Sequence, residues 1–304
     1  MFDGFPFYYF MTPISQQHDA PMPFQRAILW SLFWIGVALL SALVIWLFLP
    51  HGSEDAPAFL AGYLIEESLS VDNLFVFLML FTYFKIAPRT QRRVLNYGII
   101  GVIVLRGVMI FVGIGLVNRF EFVMYIFGAI VLYTAFKMFF SKEKEFDAQN
   151  STIIKWTRKF FTVTSEFHGD KFFIRRAGKL LATPLFVVLV VVEFTDLLFA
   201  LDSIPAIFAV TRVPLIIYGS NILAVLGLRS MYFLLEKMRS AFRFVERGVA
   251  VILSFVGAKM IAPLFWKEFT LSTLYSLIII LSILLLSILA TLIFPERGEE
   301  RIKK

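Results

Sequence analysis

The side chains best suited to chemistry are acids set inside apolar runs. GYLIEESLSVDNLFVF holds Glu66, Glu67, Asp72 and Asn73, and VVEFTDLLFALDSIPAIF holds Glu193, Asp196, Asp202 and Ser203. An ionised side chain near the centre of a bilayer costs on the order of 2.5–3.5 kcal/mol by insertion scales, so these acids must face one another, a cation or water rather than lipid. Carboxylate, amide and hydroxyl oxygens, with backbone carbonyls, form a hard donor set that suits magnesium, calcium or manganese alike. The sequence has no cysteine and no histidine inside an apolar run, which argues against zinc and copper. The candidate metal ligands are therefore Glu66, Asp72, Asn73, Glu193, Asp196, Asp202 and Ser203. Three bases also fall in apolar runs, Arg106, Arg229 and Lys259. They are read as counter-ions, or as gates that occupy the carboxylates when no cation is bound, and they leave a surplus of negative charge.

These residues need a membrane-embedded scaffold. Apolar residues make up 59% of the 304 positions and charged residues 17%, and the mean hydropathy is +0.80. A water-soluble fold of this size cannot bury that much apolar surface. Windows of roughly 20 apolar residues mark eight spans, at 27–49, 57–84, 94–117, 121–140, 184–210, 215–236, 246–265 and 271–294. Thr183-Pro184 reads as an N-cap followed by proline in the first turn. The expected fold is an all-α polytopic membrane protein. Its divisions are an arm at 1–26, a first helical half at 27–141, a basic loop at 142–183, a second half at 184–294 and a tail at 295–304. The arm lacks a basic n-region and a small-residue cleavage site and does not read as a signal peptide. In the loop, a short amphipathic helix is expected near 151–161 and a hairpin near 171–182 around Arg176-Ala177-Gly178.

Lysine and arginine gather in 85–93, 141–183, 237–247 and the tail, and are sparse in the alternate connections. By the positive-inside rule this sets both termini in the cytoplasm and the protein in the inner membrane. The net charge of +7 is then topology, and no nucleic-acid partner is expected.

Helical arithmetic sets further expectations. Glu66, Ser70 and Asn73 fall on one stripe of the second span, with Asp72 roughly 120° around from Glu66. In the fifth span Glu193 and Asp196 share a face, whereas Asp202 lies roughly half a turn away, so a straight helix cannot aim all three at one point. Pro205 is expected to kink or unwind the helix there. The second span is longer than the bilayer core and is expected to tilt or break. VLRGVMIF around Arg106 and GLRSMYFL around Arg229 follow the two acidic segments in the same order, making spans 2–4 and 5–7 an inverted three-plus-three repeat of the kind that secondary transporters use. Ala250, Ser254 and Ala258, spaced by four, are expected to form a helix-packing stripe.

The stretches GYLIEESLSVDNLFVFLMLF, QRRVLNYGIIGVIVLRGVMIF, VEFTDLLFALDSIPAIFAVT, SNILAVLGLRSMYFLL and GAKM resemble the TerC family of integral membrane proteins. Their shared order extends the resemblance over about residues 27–294. It implies a manganese exporter, with the family's acidic residues at Glu66, Asp72, Glu193, Asp196 and Asp202. The chain departs from the family in having the proline-rich arm where relatives carry an extra apolar helix, and Glu67 where lysine is common. The expected activity is transport, not catalysis. Manganese is the cargo, magnesium and calcium remain open on donor chemistry, no organic cofactor is expected, and proton exchange is the simplest coupling. The rival reading is a membrane helper in metal or tellurite stress, acting through the basic loop on a protein partner that the sequence does not specify. A membrane aspartyl protease would also pair two aspartates, but Asp72 and Asp202 lack its glycine-flanked context.

Overall fold

The computed structural model describes residues 24–140, 152–176, 178–237, 243–266 and 271–293, with the side chains at 72, 89, 152, 229, 235–237, 243 and 292 outside that description. Eight long helices stand where the hydropathy placed eight spans. They are α1 (Phe24–Phe48), α2 (Gly52–Tyr83), α3 (Pro88–Arg119), α4 (Phe122–Phe140), α6 (Pro184–Phe208), α7 (Pro214–Lys237), α8 (Arg243–Phe265) and α9 (Thr273–Ile293). Between α4 and α6 come the short α5 (Thr152–Phe160) and a hairpin of β1 (Phe173–Arg176) and β2 (Lys179–Ala182). The strands pair antiparallel from Phe173 opposite Ala182 to Arg176 opposite Lys179. That register leaves a two-residue connection, which Gly178 completes at φ +76°.

Among the described residues, seven helices are long and apolar enough to cross a membrane. The long helix not among them is α2, whose 32 residues are ample but which carries Glu66, Glu67 and Asp72. Its neighbours resolve that conflict. α2 packs on α1, α6, α7, α8 and α9, and so runs through the bundle instead of along its rim. α1 is the opposite case, burying only Ala27, Ala38 and Ala42 while Leu29, Leu32, Leu39, Leu40 and Leu47 point outward. Such a surface suits hydrocarbon and not water.

The contacts between the two halves come in matched sets. α2 lies on α7 as α3 lies on α6, α2 touches α8 as α4 touches α6, and the pairs α2–α6, α3–α7 and α4–α8 also meet. A two-fold exchange of α2–α4 with α6–α8 maps this set onto itself.

Two local expectations need correcting. α6 runs as unbroken helix through Asp202 and Pro205, with no unwinding. Ser203 to Phe208 are all buried, so packing around Pro205 confines the backbone more than the missing amide loosens it. α2, expected to tilt or break, does not break. At about 48 Å it exceeds a core of about 30 Å, so the excess must be taken up by tilt or overhang. The packing stripe on α8 holds at Ala250, which is buried, but is displaced at its other end. Ala258 is exposed, and the close crossing uses Gly257, where an added Cβ would lie 3.1 Å from the Gly128 carbonyl oxygen of α4.

Candidate cation site

The centre of the bundle is organised by one base. Arg106 of α3 is 1% exposed, and its guanidinium meets carboxylates from both halves. Nε donates to Asp196 Oδ2 at 2.9 Å and Nη2 to Asp196 Oδ1 at 2.7 Å, a bidentate pair with α6. Nη1 donates to Glu66 Oε1 on α2 and to Asn221 Oδ1 on α7, the latter at 3.1 Å. Asn221 closes the ring by donating Nδ2 to Glu66 Oε2 at 2.9 Å. Glu66 is 0% and Asp196 1% exposed, so both charges are out of solvent and paired. Four helices are thus tied through polar groups that no lipid could satisfy.

The other acids lie elsewhere. Glu193, half-buried on α6, sits over Gly101 of α3, where any side chain would overlap its carboxylate, and its Oε2 accepts no hydrogen bond. Asp202 accepts from Thr134 Oγ1 of α4 at 2.8 Å. Glu67 lies against Gly227 of α7 and takes no part in the ring, and its buried Oε2 has no hydrogen-bond partner. Lys259 donates to Ser276 Oγ of α9 at 2.8 Å and meets no carboxylate among the described side chains. The side chains of Asp72 and Arg229 lie outside the described residues. Among the described residues no three acids gather in a metal-binding group.

A second pattern joins the two acidic helices. Glu66 precedes Asp72 by six residues, and Asp196 precedes Asp202 by six. Each aspartate is followed by a buried polar residue, Asn73 at 1% and Ser203 at 1% exposure. Both Asn73 side-chain atoms and the Ser203 hydroxyl lack a hydrogen-bond partner, as does the buried Ser70 hydroxyl one turn before Asn73. Each unmet buried polar group costs about 1–3 kcal/mol. Water or a cation bound at either helix would recover that cost, and these oxygens suit a hard dication.

One cavity reaches this centre. It is a small cavity of about 20 Å³ among α2, α3, α6 and α7, and its walls include Leu74, Phe77, Gly98, Val102, Val192 and Asp196. On each helix the lining residues lie at or beyond the Arg106 cluster towards the ends at 83, 88, 184 and 237, which border the lysine- and arginine-rich connections. Asp196 is its one carboxylate, and Gly98 brings Glu193 to the same wall. Sequence reasoning missed Asn221, Thr134 and Gly101. The first two were visible as polar groups inside apolar runs; nothing in the sequence marked Gly101.

The family model for the integral membrane protein TerC family matches residues 51–299. A Salmonella typhi protein described as a "putative membrane-bound redox modulator Alx" is 48% identical over 246 residues, covering 79% of this chain and 76% of that one. The Escherichia coli K12 protein of the same description is 46% identical over 246 residues, covering 79% and 77%. An uncharacterised membrane protein of Rickettsia bellii is 41% identical over 280 residues, covering 92% and 91%. No solved structure matches.

Proposed function

Because the chain belongs to the TerC family of integral membrane proteins, we propose that it exports a divalent metal cation, manganese foremost, from the cytoplasm through the acidic centre of the bundle. The observation that carries this reading is the equivalent arrangement on α2 and α6. Each helix holds a buried acid at Arg106 and, six residues on, an aspartate followed by a polar side chain without a partner. The matched contacts of the two halves support an inverted repeat built around these residues.

In this reading Arg106 is a tethered cation. It neutralises Glu66 and Asp196 while no metal is present, and a dication arriving through the cavity meets Glu193 and Asp196 first. Competition for Asp196 weakens the guanidinium pair and lets the centre open towards the opposite face. Asp72, Asn73, Asp202 and Ser203 supply the remaining oxygens. Arg229 acts as a further counter-ion, whereas Lys259, held by Ser276 and meeting no carboxylate among the described side chains, is not assigned that role. Protons and metal compete for the same carboxylates, so transport falls as pH drops, and metal-for-proton exchange is the simplest coupling. The termini and the 142–183 segment face the cytoplasm of an inner-membrane protein, so reporters at residue 160 and after Lys304 both register as cytoplasmic.

The redox role in the relatives' description gives no thiol mechanism here, since the sequence has no cysteine. A change in cell manganese would alter redox balance indirectly. Expression of the chain should lower cell manganese and relieve manganese toxicity; unchanged metal content, with the protein confirmed in the membrane, refutes export. Loss of resistance on deleting 142–183, with carboxylate variants still active, would instead favour a helper acting through a partner.

A further inference from the structure

The α5 helix carries a surface that the bundle does not use. Ile154 and Thr157 are buried, and the helix packs against α6. The rest of its circumference divides in two. Trp156 and Phe160, one turn apart with ring centroids 6.1 Å from each other, are 64% and 71% exposed. Lys155, Arg158 and Lys159 are also exposed. At about 100° per residue the two aromatics form one stripe beside the packed face, and the three bases spread over the opposite flank.

The position of α5 is fixed as well. After it the chain turns at Phe161, which packs edge-on to Phe186 in the first turn of α6 with centroids 5.0 Å apart. Phe173 of the hairpin meets the same ring at 4.6 Å. Arg93 in the second turn of α3 pairs with Asp170 and lies 5.5 Å from the Phe172 ring, so the segment is also tied to the neighbouring helix end. α5 is thereby held level with the ends of two bilayer-crossing helices, where hydrocarbon gives way to headgroups.

We propose that α5 is an anionic-lipid contact, with Trp156 and Phe160 seated at the acyl boundary and Lys155, Arg158 and Lys159 on the phosphates of acidic headgroups. Charge and depth both select this occupant. Aromatic rings at that level suit the interface, and lysine and arginine beside an acidic leaflet are drawn to its headgroups. A protein partner would also have to displace lipid from a helix lying on the bundle. The proposal is independent of what the bundle transports.

The test uses the full chain in phosphatidylcholine vesicles containing the same minor fraction of brominated phosphatidylglycerol or of brominated phosphatidylcholine. The signal of Trp156 is the difference between the wild type and Trp156→Phe. The expected result is quenching of Trp156 by both lipids, roughly twofold or more stronger with the anionic one. That preference should vanish in Lys155→Gln/Arg158→Gln/Lys159→Gln, with its elution and melting in detergent unchanged. Equal quenching by the two lipids, no quenching of Trp156, or a preference that survives the triple substitution overturns the proposal. The comparison of lipids in the wild-type chain requires no substituted bases and so stands even if the triple variant folds poorly.

Discussion

Glu66 with Asp196, and Glu193 with Asp202, are the same chemistry in two settings. The first pair is almost wholly buried and is held by Arg106 and Asn221 in a closed ring across four helices. The second pair is half-buried and loosely held: Glu193 leaves an oxygen without a partner, and Asp202 takes one hydrogen bond from Thr134. Removing an acid from solvent is tolerated where a fixed cation answers it. Acids left without one are available to a mobile cation. The ring should therefore carry stability and gating together, and the outlying acids transport alone.

The sharpest way to break this contrast is to remove the central base. Arg106→Ala leaves Glu66 and Asp196 buried without a counter-charge and should cost about 3–5 kcal/mol, read as a lowered melting temperature and poor recovery in detergent. A variant as stable as the wild type would mean the ring is not what holds the centre. Arg106→Lys keeps the charge but not the bidentate fork, and should fall between the two. Asn221→Ala removes the group that completes the ring and should cost about 1.5–3 kcal/mol. On the other side of the contrast, Thr134→Val deletes the one hydrogen bond to Asp202. It should cost about 1 kcal/mol, with melting close to wild type. The smallest effect is expected from Glu67→Gln, because Glu67 lies against Gly227 and takes no part in the ring. Its metal efflux should stay near wild type, and complete loss would bring Glu67 into the transport path.

The sequence made the spans legible because hydrocarbon imposes a length and an apolar composition that few other settings demand. It also made the loop elements legible, since Gly178 fits a two-residue turn and TIIKWTRKF has an amphipathic period. What it could not show was which acid meets which base. Spacing on one helix puts Glu193 and Asp196 on a shared face, yet their partners come from α3 and are set by a glycine notch at 101 and an arginine at 106. Asn221 carries no charge and so stands outside the pattern of acids and bases, although an amide in an apolar run carries the same signal in weaker form. The unwinding expected at Pro205 failed for a tertiary reason, since the residues around it are buried on every side. The stripe holds at Ala250 and fails at Ala258, because spacing identifies a face but not the residue at which two backbones cross.

The most direct test of export through the acidic centre is manganese flux into inside-out vesicles carrying wild type, Asp72→Asn or Asp202→Asn at matched amounts of inserted protein. Amide for carboxylate keeps shape and one oxygen while removing charge, and a hard dication in a low-dielectric setting depends on that charge most. The account predicts uptake by the wild type and none above empty vesicles for either variant, with melting of Asp202→Asn little changed. Wild-type flux in both variants would contradict it and leave the acidic helices as structural elements.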